Sequence, residues 1–297
     1  MSRENIFIGV DGGATKSKVI IENSQGQLLG QTRGGPVALR LGVTNSWKVV
    51  LATIRMALAE AGLSLDDKRY DFHVGMGLSG CEITPKYNEF IATEHPFANL
   101  VLVSDSYAAC LGAHDGADGA SIIIGTGTVG YQIQGDKIIQ VSGWGFPHDD
   151  QGSGAWLGLK AIELTFKWLD GRLQETSPLL EMIWERFGKD TSEIVTWSNS
   201  ANSTRFAEIT PLVLQQIENK DPIAIRLIQS SAKEIDAVGA AIVRRTDEQK
   251  ALPCTLFGGV SHFIEPWLGE ELKKRIVSRK HDATVGAILA LKKRIKI

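Results

Sequence analysis

Two glycine- and threonine-rich turns carry the first chemical signal in this chain: Asp11-Gly12-Gly13-Ala14-Thr15 and Gly125-Thr126-Gly127-Thr128. Each follows an apolar run, Ile6-Phe7-Ile8-Gly9-Val10 for the first and Ala120-Ser121-Ile122-Ile123-Ile124 for the second. Glycine lets backbone N–H groups approach an anion closely, and threonine hydroxyls add donors without adding charge. Two such turns facing each other across a cleft can grip a triphosphate from both sides. Asp11 would repel phosphate, so beside such a cradle it reads as a site for Mg2+ held through water. An ordinary Gly-rich hairpin explains either turn alone; the matched pair is harder to explain that way. No G-x-x-x-x-G-K-[ST] occurs, which excludes a P-loop. Residues 125–130 match G-x-G-x-x-G after a strand. A dinucleotide site also requires a helix to begin there. Val129-Gly130-Tyr131-Gln132-Ile133 continues as strand instead, which argues against that reading.

Three further places could do chemistry. Asp105 follows the apolar run Leu100–Val103 and opens a helix-like stretch. It reads either as a general base at the carboxyl edge of a sheet, where α/β proteins bind ligands, or as a helix N-cap. The loop from Gly143 to Gly154 holds Trp144, Phe146, Asp149, Asp150 and Gln151. A carboxylate with an aromatic ring suits a sugar, because the carboxylate accepts from hydroxyls and the ring covers an apolar face. Capping of the following helix is the competing role. Gly258-Gly259 ends the run Leu252–Phe257, and a Gly pair there lets a flat adenine lie against backbone. His148 reads as a structural or surface residue, and the six histidines show no H-x-x-x-H spacing.

These groups need elements to hold them. Ile6–Val10, Lys18–Glu22 and Leu28-Leu29 read as a three-strand meander, and Ala120–Ile124, Val129–Ile133 and Ile138–Val141 repeat it. Between the two sets, helical spacing at 45–61, 85–94 and 107–114 alternates with strands at 72–78 and 100–103. The second half predicts helices at 154–169, 179–187, 206–217, 222–245, 263–274 and 283–293, and strands at 252–257 and 275–277. Interleaved strands and helices imply an α/β protein with covered sheets. A length of 297 residues fits about two domains of ~150 residues. Lys plus Arg total 32 against 34 Asp plus Glu, a balance that argues against nucleic acid or anionic membrane as partner. No apolar run approaches the ~18 residues of a membrane span, and Met1–Asn5 leads directly into the first strand without a signal-peptide pattern. A cytoplasmic protein is expected. Cys81, Cys110 and Cys254 form no C-x-x-C pair and read as buried reduced thiols.

Taken together, the ordered motifs resemble the superfamily of acetate and sugar kinases, heat-shock chaperones and actin. Within it the chain looks like the BadF/BadG/BcrA/BcrD ATPase family, and most like its glucosamine kinase and N-acetylglucosamine kinase branch. The likeness spans nearly the whole chain. It implies two actin-like, ribonuclease H-like domains with a ligand cleft between them. The first would span 1–117, with the final helix 283–297 packing back on it, and the second 118–282 with a helical insertion. It implies phosphoryl transfer from ATP, with Mg2+, to O6 of an amino sugar. Gly12, Gly13, Thr15, Gly125, Thr126, Gly127 and Thr128 match the family's phosphate motifs, and Gly258 and Gly259 its adenosine motif. Ser79 and Gly80, in Gly77-Leu78-Ser79-Gly80, match its sugar-side loop. Asp105, in Ser104-Asp105-Ser106-Tyr107-Ala108, falls on its catalytic Asp, which aligns and deprotonates the hydroxyl. Asp150, rather than Asp149, falls on its sugar-binding Asp, and Asp282-Ala283-Thr284-Val285-Gly286-Ala287 looks like its closing helix. A homodimer is among the assemblies it allows.

One departure stands out. Relatives often carry a sugar-binding Asn in a G-x-x-N loop, and Ala38 occupies that register here. Restoring Asn at 38 is therefore expected to favour amino sugars, and the choice among glucosamine, N-acetylglucosamine and another hexose stays open. Two other classes compete. An iron–sulfur ATPase activator of a dehydratase would need paired cluster cysteines, which Cys81 and Cys110 match poorly. A sugar-sensing repressor would need a DNA-binding module ahead of the first strand, where five residues leave no room.

Overall fold

In the computed structural model, which describes residues 3–13, 15–246 and 251–296, the chain divides into two compact units. Ala14 of the first turn and Ile297 of the expected final helix lie outside the described residues. The first unit is Met1–Gly119 with Ile133–Lys137 and Ser278–Ile297. It opens with β1 (Glu4–Gly12), β2 (Ser17–Glu22) and β3 (Leu28–Gly34), then α1 (Val43–Glu60), β4 (Tyr70–Leu78), α2 (Thr84–Ala92), β5 (Asn99–Ser104) and α3 (Asp105–Ala113). The second unit, Ala120–Gln132 with Ile138–Val277, is entered through β6 (Gly119–Ile124), β7 (Thr128–Gln134) and β8 (Lys137–Ser142). It then turns helical with α4 (Gly154–Leu169), α5 (Pro178–Arg186), α6 (Thr191–Ser200), α7 (Ser203–Ala207), α8 (Thr210–Glu218) and α9 (Pro222–Arg244). β9 (Cys254–Phe257), α10 (Ser261–Ile264) and α11 (Glu270–Lys273) complete it, and α12 (Ala283–Ile295) returns the chain to the first unit.

Among the described residues the first sheet runs β3-β2-β1-β4-β5 and the second β8-β7-β6-β9. In each, a meander is followed by a strand that pairs in parallel with the meander's first: β4 with β1, and β9 with β6. The repeat seen in the sequence is thus a repeat of topology. No helix of the described residues is long and apolar enough to cross a membrane.

Both faces of β1 are covered, which is why it reads as an unbroken apolar run. Ile6, Ile8 and Val10 pack with Val50, Ile54 and Leu58 of α1, while Phe7 points the other way, onto Ile288 and Leu291 of α12. The backbone of α12 lies almost on its neighbours. A Cβ at Gly75 would sit 2.0 Å from the Ala287 carbonyl oxygen, and one at Gly286 would sit 1.8 Å from that of Ala108.

Two expected helices break. Residues 206–217 form the end of α7 and most of α8, because Pro211 has no N–H to continue the ladder and instead sits in the first turn of a new helix. Residues 263–274 divide into α10, a 3-10 turn at Glu265–Trp267 with Pro266 in it, and α11. The expected strand 275–277 is a single bridge, Cys254 to Ile276. α6 is not legible from periodicity and begins at a cap, the Asp190 carboxylate accepting from Ser192 N–H at 2.8 Å.

Toward the amino ends of β1, β4 and β5 the first sheet is stitched by a neutral histidine. His73 Nδ1 accepts from Asn99 Nδ2 at 2.8 Å, and Nε2–H donates to Asn5 Oδ1 at 2.9 Å. Burial holds His73 below the ordinary histidine range, against the opposing pull of Asp71. The folded form is therefore neutral, whereas the unfolded chain takes up a proton below the usual value of 6.5. This contribution to stability is complete above that value and is lost as pH falls through it. Between about pH 7.5 and about pH 5.5, wild type should lose more in Tm than His73→Gln does. Equal losses in a thermal scan would remove His73 from this role.

Candidate active site

Strand register brings one set of candidate residues to one edge of the first sheet. Gly12 is level with Leu78, and Leu78 with Ser104. The carboxyl ends of β1, β4 and β5 therefore deliver Asp11–Gly13, Ser79–Gly80 and Asp105 side by side. Backbone bonds join them: Ser79 N–H donates to Gly12 O at 3.0 Å, Val37 N–H to Gly13 O at 3.0 Å, and Leu39 N–H to Ser79 O at 2.9 Å. Thr15 is exposed.

Asp105 is not the cap of α3. Ser104 is, its hydroxyl accepting from Tyr107 N–H at 3.1 Å. Asp105 opens the first turn, and one carboxylate oxygen accepts from Ser106 N–H at 2.7 Å and Ser106 Oγ at 3.3 Å. Burial pushes the Asp105 carboxyl up, the Ser106 bonds oppose that, Glu82 raises it further and Arg40 lowers it.

Asp11 is pushed up to about 6, by burial first and then by the charges of Asp105 and Asp282, against Lys16 and Lys18. Sequence inspection passes over Lys18, although hairpin register places it opposite Asp11. Its ammonium lies 2.6 Å from Asp282 Oδ2. The other Asp282 oxygen caps α12, accepting from the N–H groups of Thr284 and Val285 and from the Thr284 hydroxyl. Burial alone would raise Asp282, but Lys18 and Thr284 together hold it below the usual carboxylate range. Mutually repelling, half-buried carboxylates are hard oxygen donors that suit Mg2+. Among the described residues no three His, Cys, Asp or Glu side chains are grouped to hold a metal ion.

Ala38 departs from expectation. Its side chain is fully buried, and its carbonyl accepts from Ser46 Oγ at 2.9 Å. An amide at this position must displace packed neighbours, so Ala38→Asn is a packing change and not the filling of an open subsite.

The second unit gathers its own set. Gly125 N–H donates to Gly127 O at 2.9 Å, and the turn is tied to the start of α4 by Gly154 N–H to Gly125 O at 2.8 Å and Ala155 N–H to Thr126 O at 3.1 Å. Added Cβ atoms at Gly125 and Gly259 would meet nothing within 4 Å, so the protein's own packing leaves open space beside both. Gly258 has φ 96° and lies against the same turn, and Val260 N–H donates to Ile124 O at 3.2 Å.

Asp150 faces this turn. It is 8% exposed with φ 69°. Its carboxylate accepts from Thr128 N–H at 3.1 Å and from Phe146 N–H. A Cβ at Gly127 would lie 2.8 Å from Asp150 Oδ2, so only glycine lets the carboxylate sit there. Burial raises Asp150, Thr128 N–H opposes it, and Asp149 adds to the rise. Thr128 thus gives its N–H to Asp150, and its hydroxyl is buried without a hydrogen-bond partner among the described residues, whereas Thr126 is exposed. Asp149 instead closes the loop on itself, accepting from Ser142 Oγ at 3.0 Å and Trp144 N–H at 2.8 Å. Neither acid caps α4. Ser153 does, accepting from Trp156 N–H at 3.2 Å. Trp144 is 74% exposed, and Phe146 packs on Phe206 with ring centroids 5.3 Å apart.

The family model for BadF/BadG/BcrA/BcrD ATPases matches residues 8–290. The chain belongs to the BadF/BadG/BcrA/BcrD ATPase family. Glucosamine kinase GspK of Vibrio cholerae is similar over nearly its whole length, 34% identical across 96% of this chain and 95% of that protein. A protein of Chromobacterium violaceum, described as a candidate N-acetylglucosamine kinase, has a crystal structure that superposes with TM-score 0.85. It is 35% identical over 96% of this chain and 98% of its own. The ROK hexokinase of Thermus thermophilus, at 16% identity and TM-score 0.60 over 98% of this chain and 99% of its own, shares the fold. This member of the BadF/BadG/BcrA/BcrD ATPase family is accordingly an α/β protein of two actin-like domains. Of its cysteines, Cys110 and Cys254 are buried and Cys81 is partly buried. Cys81 donates to Val103 O at 3.1 Å, with burial pushing its thiol up to about 12.

Proposed function

We propose that this protein is an ATP-dependent kinase of an amino sugar, glucosamine or N-acetylglucosamine, acting at O6. The observation that carries this reading is Asp105: a carboxylate at the sheet edge beside Ser79 and Gly80, relieved of helix capping by Ser104 and pushed up from the ordinary carboxylate range by burial. A base of that kind can hold a sugar hydroxyl in line and take its proton. The attacking O6 forms a bond to the γ-phosphorus, the bond to the β-phosphate oxygen breaks, and ADP leaves. Positioning and charge stabilisation matter more than basicity in such a loose transition state. Gly12 and Gly13 in the first unit, and Gly125, Thr126 and Gly127 in the second, offer phosphate-binding backbone, with Gly258–Gly259 for adenine. Asp11 would hold Mg2+ through water, where the ion offsets triphosphate charge. Trp144 presents an exposed ring for a sugar face. An iron–sulfur activator is disfavoured, since cluster ligands are thiolates and the Cys81 thiol is pushed up to about 12.

A coupled ADP-release assay across glucosamine, N-acetylglucosamine, glucose and buffer alone tests the reading, with the phosphorylated carbon assigned by phosphorus–proton NMR. Sugar-dependent ADP release with phosphate on O6 is expected. ADP release indifferent to sugar would refute it.

The two acids of the 143–154 loop should separate. Asp150→Asn keeps the shape of the side chain but removes its charge, so bonds from Thr128 N–H and from a sugar hydroxyl are no longer charge-assisted. Losing one charge-assisted bond, worth about 1.5–3 kcal/mol, should raise sugar KM roughly tenfold or more. Asp149→Asn keeps one acceptor for Trp144 N–H and should leave sugar KM within about twofold, since a surviving bond costs only tenths of a kcal/mol. Steady-state kinetics with the reverse ranking would show that Asp149 is the sugar ligand.

A further inference from the structure

Two charges near Asp105 have, among the described residues, no partner that would explain them as part of the fold. β4 leaves the sheet through Ser79 and Gly80 and turns back at once, Ile83 N–H donating to Gly80 O at 3.2 Å. The bond from Cys81 Sγ to Val103 O at 3.1 Å fixes that turn beside the strand end two residues before Asp105. Glu82 follows next. Its carboxylate is exposed and makes no hydrogen bond or ion pair among the described residues. Arg40 closes in from the other side: a Cβ at Gly80 would lie 3.1 Å from Arg40 N. Its guanidinium is likewise exposed and unpaired among the described residues. Lys86, on α2, spends its ammonium on the Arg40 carbonyl at 3.2 Å. Both free charges are felt at the Asp105 carboxylate with opposite sign, Glu82 more strongly than Arg40.

We propose that Glu82 and Arg40 read the charge on the sugar's nitrogen, Glu82 attracting the ammonium of a free amino sugar and Arg40 opposing it. This rests on the amino-sugar kinase reading above and narrows it to a preference for glucosamine over uncharged sugars. Glu82 follows Cys81, which is tied to Val103 at the end of β5, and the Arg40 backbone lies against Gly80, so both charges are carried by segments at the strand edge where Asp105 would align a substrate hydroxyl. An exposed carboxylate without a protein partner has only water to exchange for an ammonium, and an acetamide offers it no charge to receive. Arg40 is the counterweight that keeps the preference modest.

The test is kcat/KM for glucosamine, N-acetylglucosamine and glucose in wild type, Glu82→Gln and Arg40→Gln. It is run at about pH 6.5, where a primary amine of the α-amino kind is protonated. Glu82→Gln should lower the glucosamine-to-glucose ratio about three- to fivefold, the size of an exposed charge pair, and Arg40→Gln should raise it comparably. The N-acetylglucosamine-to-glucose ratio should stay constant in both. Added salt to about 0.5 M should shrink the two shifts together. A merely structural role would not move one ratio in opposite directions. Unchanged ratios, or shifts of the same sign, overturn the inference while leaving the kinase reading intact. If wild type phosphorylates no sugar, both fall.

Discussion

Asp105→Asn should lower kcat by roughly 10²–10⁴, the usual worth of a positioned general base, while leaving the KM for ATP nearly unchanged. The replacement is close in shape, and Ser104 still caps α3, so the helix start survives the change. The amide oxygen can keep the bond from Ser106 N–H, which holds the side chain in its rotamer. What is lost is the ability to take a proton. Ser104→Ala should do the opposite. Removing a cap costs about 1 kcal/mol of stability, visible in a melt, with a far smaller effect on kcat. Circular dichroism melts and initial rates on the two purified variants decide the matter. An Asp105→Asn enzyme turning over near the wild-type rate, or a Ser104→Ala enzyme as dead as Asp105→Asn, would show that the roles have been divided wrongly.

Gly286→Ala should be the most damaging single methyl in the first unit. The added Cβ would be 1.8 Å from the Ala108 carbonyl oxygen, 2.7 Å from Gly112 N and 2.8 Å from the Ala108 carbonyl carbon. All three are backbone atoms, so no side-chain rotation can relieve the clash. α12 must lift away from α3, and its other face carries Ile288 and Leu291 against Phe7. Overpacking typically costs 1–3 kcal/mol, and rigid neighbours place this case at about 3 or above, or a fall in Tm of about 6–10 °C. A thermal denaturation curve within about 2 °C of wild type, under 1 kcal/mol on the same scale, would mean that α12 is not seated as described.

Much of the strand and helix order is legible in the sequence because buried strands and amphipathic helices advertise themselves by period. The failures have specific causes. Residues 206–217 keep a helical period straight across a proline that has no N–H to give. α6 has few apolar residues and one strong cap, Asp190, which is the signal that could have found it. At the site, the ambiguity is chemical. Ser and Asp both cap helices, and the chain offers them close together at Ser104-Asp105 and again at Asp150 and Ser153. Only the hydrogen bonds of the folded chain show that serine caps in both places. Lys18 escapes a linear reading because its importance lies across the hairpin from Asp11, not beside it in sequence. Thr128 looks like its neighbour Thr126 until burial separates them. Ala38 looks like a missing amide on an open loop, yet its side chain is enclosed.

The last helix belongs to the first unit. α12 lies against β1, β4 and α3, and the Asp282 carboxylate at its start holds Lys18 across from Asp11. During synthesis the first unit therefore emerges lacking one side of its sheet. Phe7, Gly9 and Gly75 wait uncovered while the whole second unit is made. Translation must reach the 280s before the first Gly-rich turn acquires its charged neighbour. A ribosome that stalls in the second unit would thus leave an unfinished first unit exposing apolar surface, a natural substrate for chaperones and proteases.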